Sequence, residues 1–196
     1  MYQPLADKVR PKTFSEIIGN NQLLETLKLM LDQDRMVSLI LYGPTGVGKT
    51  TIADIIADKY PLNHFRFNAS TDNKALLKQI IETVKLYHSV ILIIDEIHRM
   101  NRDIQDYLLP YVEKGQITMI GLTTENPYIS VNPAIRSRVS IFKVKRPSAL
   151  EIEEFIKKID ISLLDKEVEI EDEVYHKISI SANGEVRTAI NMLEIL

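Results

Sequence analysis

Cysteine is absent from this chain. Disulfides, thiolate nucleophiles and cysteine zinc sites are therefore excluded together. The four histidines, at positions 64, 88, 98 and 176, show no metal-ligand spacing. The N-terminus lacks the apolar stretch of a secretion signal, and no apolar run approaches the length that spans a bilayer. An excess of positive charge is missing too. With a net charge of −3 the chain is not a generally basic nucleic-acid binder, and any such contact would have to use a local patch. Internal repeats and low-complexity segments are also lacking. What remains is 196 residues, 45% hydrophobic and 26% charged, enough for one sizeable core or one domain plus a small second one. Asn68-Ala-Ser70 is formally a glycosylation sequon, without that meaning in the cytosol.

The most informative stretch is Gly43, Pro44, Thr45, Gly46, Val47, Gly48, Lys49 and Thr50, which fits the phosphate-binding pattern G-x-x-x-x-G-K-[ST]. A short apolar run, 38–42, precedes it and suits a buried strand. The segment from Thr51 to Tyr60 reads as a helix. Glycines let the backbone curl so that its N–H groups face a phosphate at the positive end of that helix. Lys49 is placed for the β- and γ-phosphates, and the Thr50 hydroxyl for Mg²⁺. The alternative, a chance glycine-rich turn, does not account for the strand before and the helix after.

A second motif supports the first. Val90-Ile-Leu-Ile-Ile94 is the unbroken apolar run of a central parallel strand, and it ends in Asp95 and Glu96. Ionised groups at a buried strand tip are costly unless paired or bound to metal. Asp95 reads as the Walker B aspartate beside Mg²⁺, and Glu96 as the group that polarises an attacking water. Solvated acids would be the default for Asp-Glu alone, but not beside a P-loop.

Strand-like runs at 38–42, 64–68, 90–95, 118–123 and 139–144 alternate with helical patterns, which predicts a parallel sheet covered on both faces. Leu23, Leu24, Leu27, Met30 and Leu31 form one apolar stripe, and Leu76, Leu77, Ile80, Ile81 and Val84 another. Asn132-Pro133 starts a helical turn, and Gly115 ends the helix that begins near Arg102. A boundary falls at Lys145-Arg-Pro147, dividing an α/β domain, 1–146, from a helical domain, 147–196. Ser148 and Glu151 are spaced as a capping box, and helices are expected near 149–159, 171–181 and 184–196. The acidic run from Glu167 to Glu173 reads as a solvated helix entry. Lys143, Lys145, Arg146, Lys157 and Lys158 form a modest basic cluster, more like a solvated face than a groove.

Together the P-loop, the Asp-Glu strand tip and the trailing helices resemble an AAA+ ATPase. Pro4 to Pro11, followed by Phe14 to Asn20, is similar to the N-terminal segment that encloses adenine in clamp loaders and RuvB-type motors. Asp95-Glu-Ile-His-Arg-Met-Asn101, with Gln105-Asp106 and Leu109-Pro110, resembles the replication-associated recombination protein A family, RarA or MgsA, related to the Werner-helicase-interacting protein. Ile120-Gly-Leu-Thr-Thr-Glu-Asn-Pro127 resembles that family's Gly-Ala-Thr-Thr-Glu-Asn-Pro signature, with Leu122 replacing alanine.

The resemblance implies a P-loop core with five parallel strands in the order 5-1-4-3-2 and a helical lid. It implies ATP and Mg²⁺ as ligands, with Thr51, Val9, Arg10, Ile17 and Ile18 joining the P-loop in the nucleotide site and Asp95 and Thr50 holding the metal. Thr124, at the end of the fourth strand, would be sensor 1, with Asn126 the lesser candidate. Arg138 of the Ser137-Arg138 pair would reach a neighbouring subunit's nucleotide, and Arg136 lies close enough to be confused with it. Arg187 would be sensor 2, in a Gly184-Glu-Val-Arg187 motif where Glu185 replaces aspartate. Asn68 would restrain Glu96 until a partner binds. His98 and Arg99 are assigned no chemistry. The P-loop departs from the common Gly-Pro-Pro-Gly-Thr-Gly-Lys-Thr at Thr45 and Val47, which leaves Lys49, Thr50 and every glycine in place.

The implied activity is DNA-stimulated ATP hydrolysis in replication-fork maintenance, recombination or repair. The implied partners are single-stranded or forked DNA, replication proteins and further copies of the chain, in the bacterial cytosol or nucleoid. More lid and an assembly region are expected beyond Leu196. RuvB-type branch-migration motors and clamp-loader subunits are the near alternatives. The former insert a β-hairpin before the sensor 1 strand, for which Tyr111 to Gln116 is too short. A nucleotide-binding assembly module with negligible turnover is the alternative of another class.

Overall fold

The sheet forms where the sequence concentrates unbroken apolar runs. A computed structural model describes residues 3–164 and 170–196. Five strands, β1 (Leu39–Tyr42), β2 (His64–Asn68), β3 (Val90–Asp95), β4 (Ile117–Thr123) and β5 (Ser140–Lys143), pair in parallel in the order β2-β3-β4-β1-β5. This is the expected order, 5-1-4-3-2, read from the other edge. Register places Asn68 opposite Asp95, Ile94 opposite Gly121, and Tyr42 between Thr123 and Lys143.

Because strand side chains alternate, each strand feeds both faces. Leu39, Leu41, Ile91, Ile93, Ile120 and Leu122 pack with Leu24 and Leu27 of α2 (Asn21–Asp32) and with Ile52 and Ile56 of α3 (Lys49–Lys59). Ile40, Phe67, Leu92, Ile94 and Met119 pack on the other face. Their partners are Leu77, Ile81 and Val84 of α4 (Lys74–Tyr87) and Leu108 and Val112 of α5 (Arg102–Glu113). The stripe on α2 is thus core-facing, and so is that on α4 apart from Leu76, which is exposed. Gly115, at φ +67, donates its N–H to Val112 and ends α5, so residues 114–116 alone join α5 to β4 and no hairpin intervenes.

After β4 come two single turns, α6 (Pro127–Ser130) and α7 (Pro133–Arg136), each capped by the asparagine before its proline. The capping box opens α8 (Ala149–Lys157) as read. The Ser148 hydroxyl accepts the Glu151 N–H, and the Glu151 carboxylate accepts the Ser148 N–H at 2.7 Å. α9 (Asp172–Ser181) and α10 (Val186–Glu194) follow. Residues 167–169 of the acidic run lie outside the described residues, and Asp172 and Glu173 occupy the first turn of α9. α10 starts two residues later than expected. Gly184 forms the turn before it at φ +80, where a Cβ would come within 2.6 Å of the Arg146 side chain.

Two short helices, α6 and one at the N-terminus, escaped the sequence reading. α1 (Leu5–Lys8) sends Leu5, 1% exposed, into the cluster formed by Ile152, Ile156, Ile190 and Leu193 of α8 and α10. Burying a leucine contributes roughly 1.5–3 kcal/mol. The Leu5 N–H also donates to Glu194 at 2.6 Å. The N-terminal residues therefore pack on the helical cluster rather than on the sheet. Among the described residues no helix is long and apolar enough to cross a membrane.

Candidate active site

The loop 43–48 leaves the end of β1 and delivers its backbone to the N-terminus of α3. Gly43 must be glycine because a Cβ there would sit 2.2 Å from the Val144 carbonyl oxygen. Lys49 lies at the first position of α3 and folds back over the loop. Its ammonium donates to the carbonyls of Gly43 at 2.7 Å and Pro44 at 2.5 Å. Burial lowers the Lys49 pKa, and the Glu96 carboxylate opposes that shift.

A cavity of about 270 Å³ opens beside this loop. It is lined by Thr45 to Thr51, Asp95, Glu96, Thr123, Thr124 and Arg187. Val9, Arg10, Ile17 and Ile18, expected at the base, line it too. Gly43 and Pro44 contribute carbonyls to Lys49 instead of lining the space. The sequence reading missed Phe155 of α8 and Val186 and Ile190 of α10, which also line it. Each sits on an ordinary amphipathic helix, so no local signal marked them.

Asp95 ends β3 and pairs with Arg66 of β2 at 2.9 Å. Arg66 also pairs with Asp54 of α3, and Arg10 reaches Asp54 at 2.8 Å. Burial raises the Asp54 pKa against the pull of both arginines. Thr50 and Asp95 face the same cavity and offer a hydroxyl and a carboxylate. Few hard oxygen donors suit Mg²⁺, which keeps waters and phosphate oxygens in its shell.

Glu96 takes a left-handed backbone, φ +53, and opens a 3₁₀ turn over Ile97–Arg99. Its carboxylate meets His98 Nδ1 at 3.3 Å. The Asn68 amide oxygen accepts the Ser70 N–H within its own turn, and its Cα faces Asp95 across the sheet. The strand also ends one residue before Thr124. Thr123 is the last residue of β4, and its hydroxyl accepts the Glu125 N–H at 3.0 Å, so the capping hydroxyl is that of Thr123 and Thr124 is left facing the cavity. Asn126 caps α6.

Arg187 reaches the cavity wall, and Arg138 does not. Arg138 is held by Glu113 of α5 at 2.5 Å, by the Ala134 carbonyl at 2.7 Å and by the Ser137 hydroxyl at 2.8 Å. Arg136 lies over the Tyr128 ring, 5.5 Å from its centre.

A parallel sheet with a glycine loop entering a helix, and an acid-tipped strand beside a threonine-tipped one, defines a P-loop nucleotide-binding domain with AAA+ strand order. The model for the Holliday junction DNA helicase RuvB P-loop domain matches residues 9–143, and the chain belongs to that family. It is similar to replication-associated recombination protein A of Bacillus subtilis, 38% identical over 98% of this chain and 48% of that protein. The ATPase WRNIP1 of Dictyostelium discoideum is 35% identical over 99% of the chain and 23% of that protein. Among solved structures, the Thermotoga maritima RuvB Holliday junction branch migration motor superposes with a TM-score of 0.78 at 30% identity. That match covers 93% of this chain and 63% of the motor. The chain thus spans about half the length of its bacterial recombination relative.

Proposed function

We propose that this chain is the ATP-hydrolysing unit of a RarA-type AAA+ protein of the bacterial cytosol. Its work is on single-stranded or forked DNA in replication-fork maintenance, recombination or repair, as a homo-oligomer among replication proteins. One observation carries the reading: a single cavity brings Lys49, Thr50, Asp95, Glu96, Thr124 and Arg187 together with Val9, Ile17 and Ile18. That mixture of polar and apolar lining suits a ligand with a polyphosphate and an apolar base.

In this reading Lys49 exchanges the carbonyls of Gly43 and Pro44 for β- and γ-phosphate oxygens. Backbone N–H groups of the loop and the α3 terminus cradle the phosphates. The Thr50 hydroxyl and the Asp95 carboxylate hold Mg²⁺, which neutralises charge on the phosphates during transfer. Glu96 takes the proton of the attacking water. Thr124 orients that water or the γ-phosphate, and Arg187 reaches the same phosphate from the helical segment 147–196, which acts as a lid domain over 1–146. Arg138 serves a neighbouring subunit.

The connector 114–116 favours the RarA type over the RuvB type, since it leaves no room for a hairpin. Lys49→Ala is expected to abolish ATP binding, whereas Glu96→Gln is expected to bind ATP and stop turnover, both read by fluorescent-nucleotide titration and phosphate release. Added forked or single-stranded DNA is expected to raise the wild-type rate. Equal loss of binding in both variants would refute the division of roles, and a rate indifferent to DNA would refute the DNA-directed reading.

A further inference from the structure

We propose that His98 is a positioning residue that fixes the Glu96 carboxylate against the tip of β4. The inference rests on Glu96 being the base that activates water. Three observations carry it, and His98 itself is not among the residues that line the cavity.

The first is that Glu96 needs holding. Its φ of +53 is unfavourable for a residue with a Cβ and persists only where the surroundings enforce it. Its side chain is 42% exposed, so packing alone does not fix its rotamer. The second is that His98 is itself fixed. Its side chain is 7% exposed, and Nδ1 lies 3.0 Å from the Thr123 hydroxyl. That hydroxyl belongs to a 1% exposed residue and is anchored by the Glu125 N–H. The third is the geometry between the two. Nδ1 faces Glu96 Oε2 at 3.3 Å, and Nε2 faces Glu125 Oε1 at 3.6 Å. A carboxylate only accepts, so Nδ1 holds Glu96 in the forms of the ring that carry a hydrogen on Nδ1.

The groups thus run Glu125, Thr123, His98, Glu96, from the end of β4 to the end of β3. Thr124 follows Thr123 directly and faces the cavity. Any movement of the β4 tip is therefore transmitted through one imidazole to the base. A misplacement of about 1 Å in a reacting group costs on the order of 100-fold in rate, so this restraint matters without touching nucleotide.

The test compares wild type, His98→Ala, His98→Asn, Glu96→Gln and the double variant His98→Ala/Glu96→Gln. It reads kcat, fluorescent-nucleotide affinity and thermal unfolding. His98→Ala is expected to lower kcat roughly 10- to 100-fold while nucleotide affinity stays within about twofold. Asparagine keeps an N–H near the Nδ1 position, so His98→Asn is expected to recover most of the rate. Adding His98→Ala to Glu96→Gln is expected to cost little more, because the restraint has nothing left to hold. In imidazole ¹H–¹⁵N spectra the His98 Nδ1 signal is expected to move in Glu96→Gln. A His98→Ala variant with wild-type kcat beside an inactive Glu96→Gln would overturn the proposal and leave the base intact. Parallel losses of affinity and melting temperature in both His98 variants would make the residue a packing element and overturn it equally. Full turnover in Glu96→Gln would remove the base reading itself, and with it the role of His98.

Discussion

At the scale of single residues, the metal-side carboxylate is not free. Arg66 bridges Asp95 and Asp54, and Arg10, which lines the cavity, holds the far side of Asp54. In the proposed site, a metal held by Asp95 would compete with this guanidinium for the carboxylate. Arg66 is about 40% exposed, so the pair is worth only roughly 0–1 kcal/mol. Arg66→Ala is therefore expected to lower the Mg²⁺ concentration for half-maximal nucleotide binding by about two- to fivefold. Titrating Mg²⁺ against a fluorescent nucleotide checks this, and an unchanged midpoint would mean that the pair does not compete. Lys49 and Thr50 were legible in the sequence because their chemistry is tied to fixed spacing along one strand-loop-helix unit, and Asp95 and Glu96 because they end an unbroken apolar run. Arg66 was not, since its partners come from a neighbouring strand and a helix and meet only through sheet register. His98 was in view but carried no meaning until β4 brought Thr123 and Glu125 against it.

At the scale of elements, the strands and most helices followed from apolar runs, and their ends from caps such as Ser148, Asn132 and Gly115. The first element was lost because four residues of α1 carry too little periodicity, and its anchor, Leu5, is recognisable only against α8 and α10. α8 and α9 are also joined by charge. Glu153 of α8 meets His176 of α9 at 2.8 Å and Lys157 at 3.0 Å, and Lys157 reaches Asp172 at 2.9 Å. The hydrogen bonds from His176 and then Lys157 hold the Glu153 pKa below the ordinary glutamate value. A depressed carboxylate pKa contributes stability above the unfolded value and loses it as pH falls through the folded one. Thermal unfolding of wild type is therefore expected to weaken relative to Glu153→Gln as the medium is acidified below the ordinary glutamate range. The two proteins should differ most near neutrality and converge in acid. Parallel pH profiles would show that the α8–α9 contact does not depend on this carboxylate.

At the scale of the whole molecule, the position of Arg138 sets a requirement. Glu113, Ala134 and Ser137 hold its guanidinium on the α5–α7 surface, while Arg187 alone among the three candidate arginines reaches the cavity. A finger that cannot serve its own site must serve another copy or none. If it serves another copy, Glu113 has to give it up when subunits meet, and hydrolysis must depend on protein concentration. Arginine fingers supply on the order of 10³–10⁵ in rate, so Arg138→Ala is expected to bind ATP normally and to hydrolyse it poorly. Complementation separates this from a folding defect. In a mixed assembly, an Arg138→Ala subunit retains Glu96 but lacks the finger, and a Glu96→Gln neighbour retains the finger but lacks the base. Wherever the second presents Arg138 to the nucleotide of the first, one complete site is rebuilt. Two variants that are each nearly inactive are therefore expected to regain activity on mixing, with a maximum at intermediate ratios. Activity that stays at the sum of the separate variants, in a mixture shown by sedimentation to co-assemble, would confine Arg138 to its bond with Glu113.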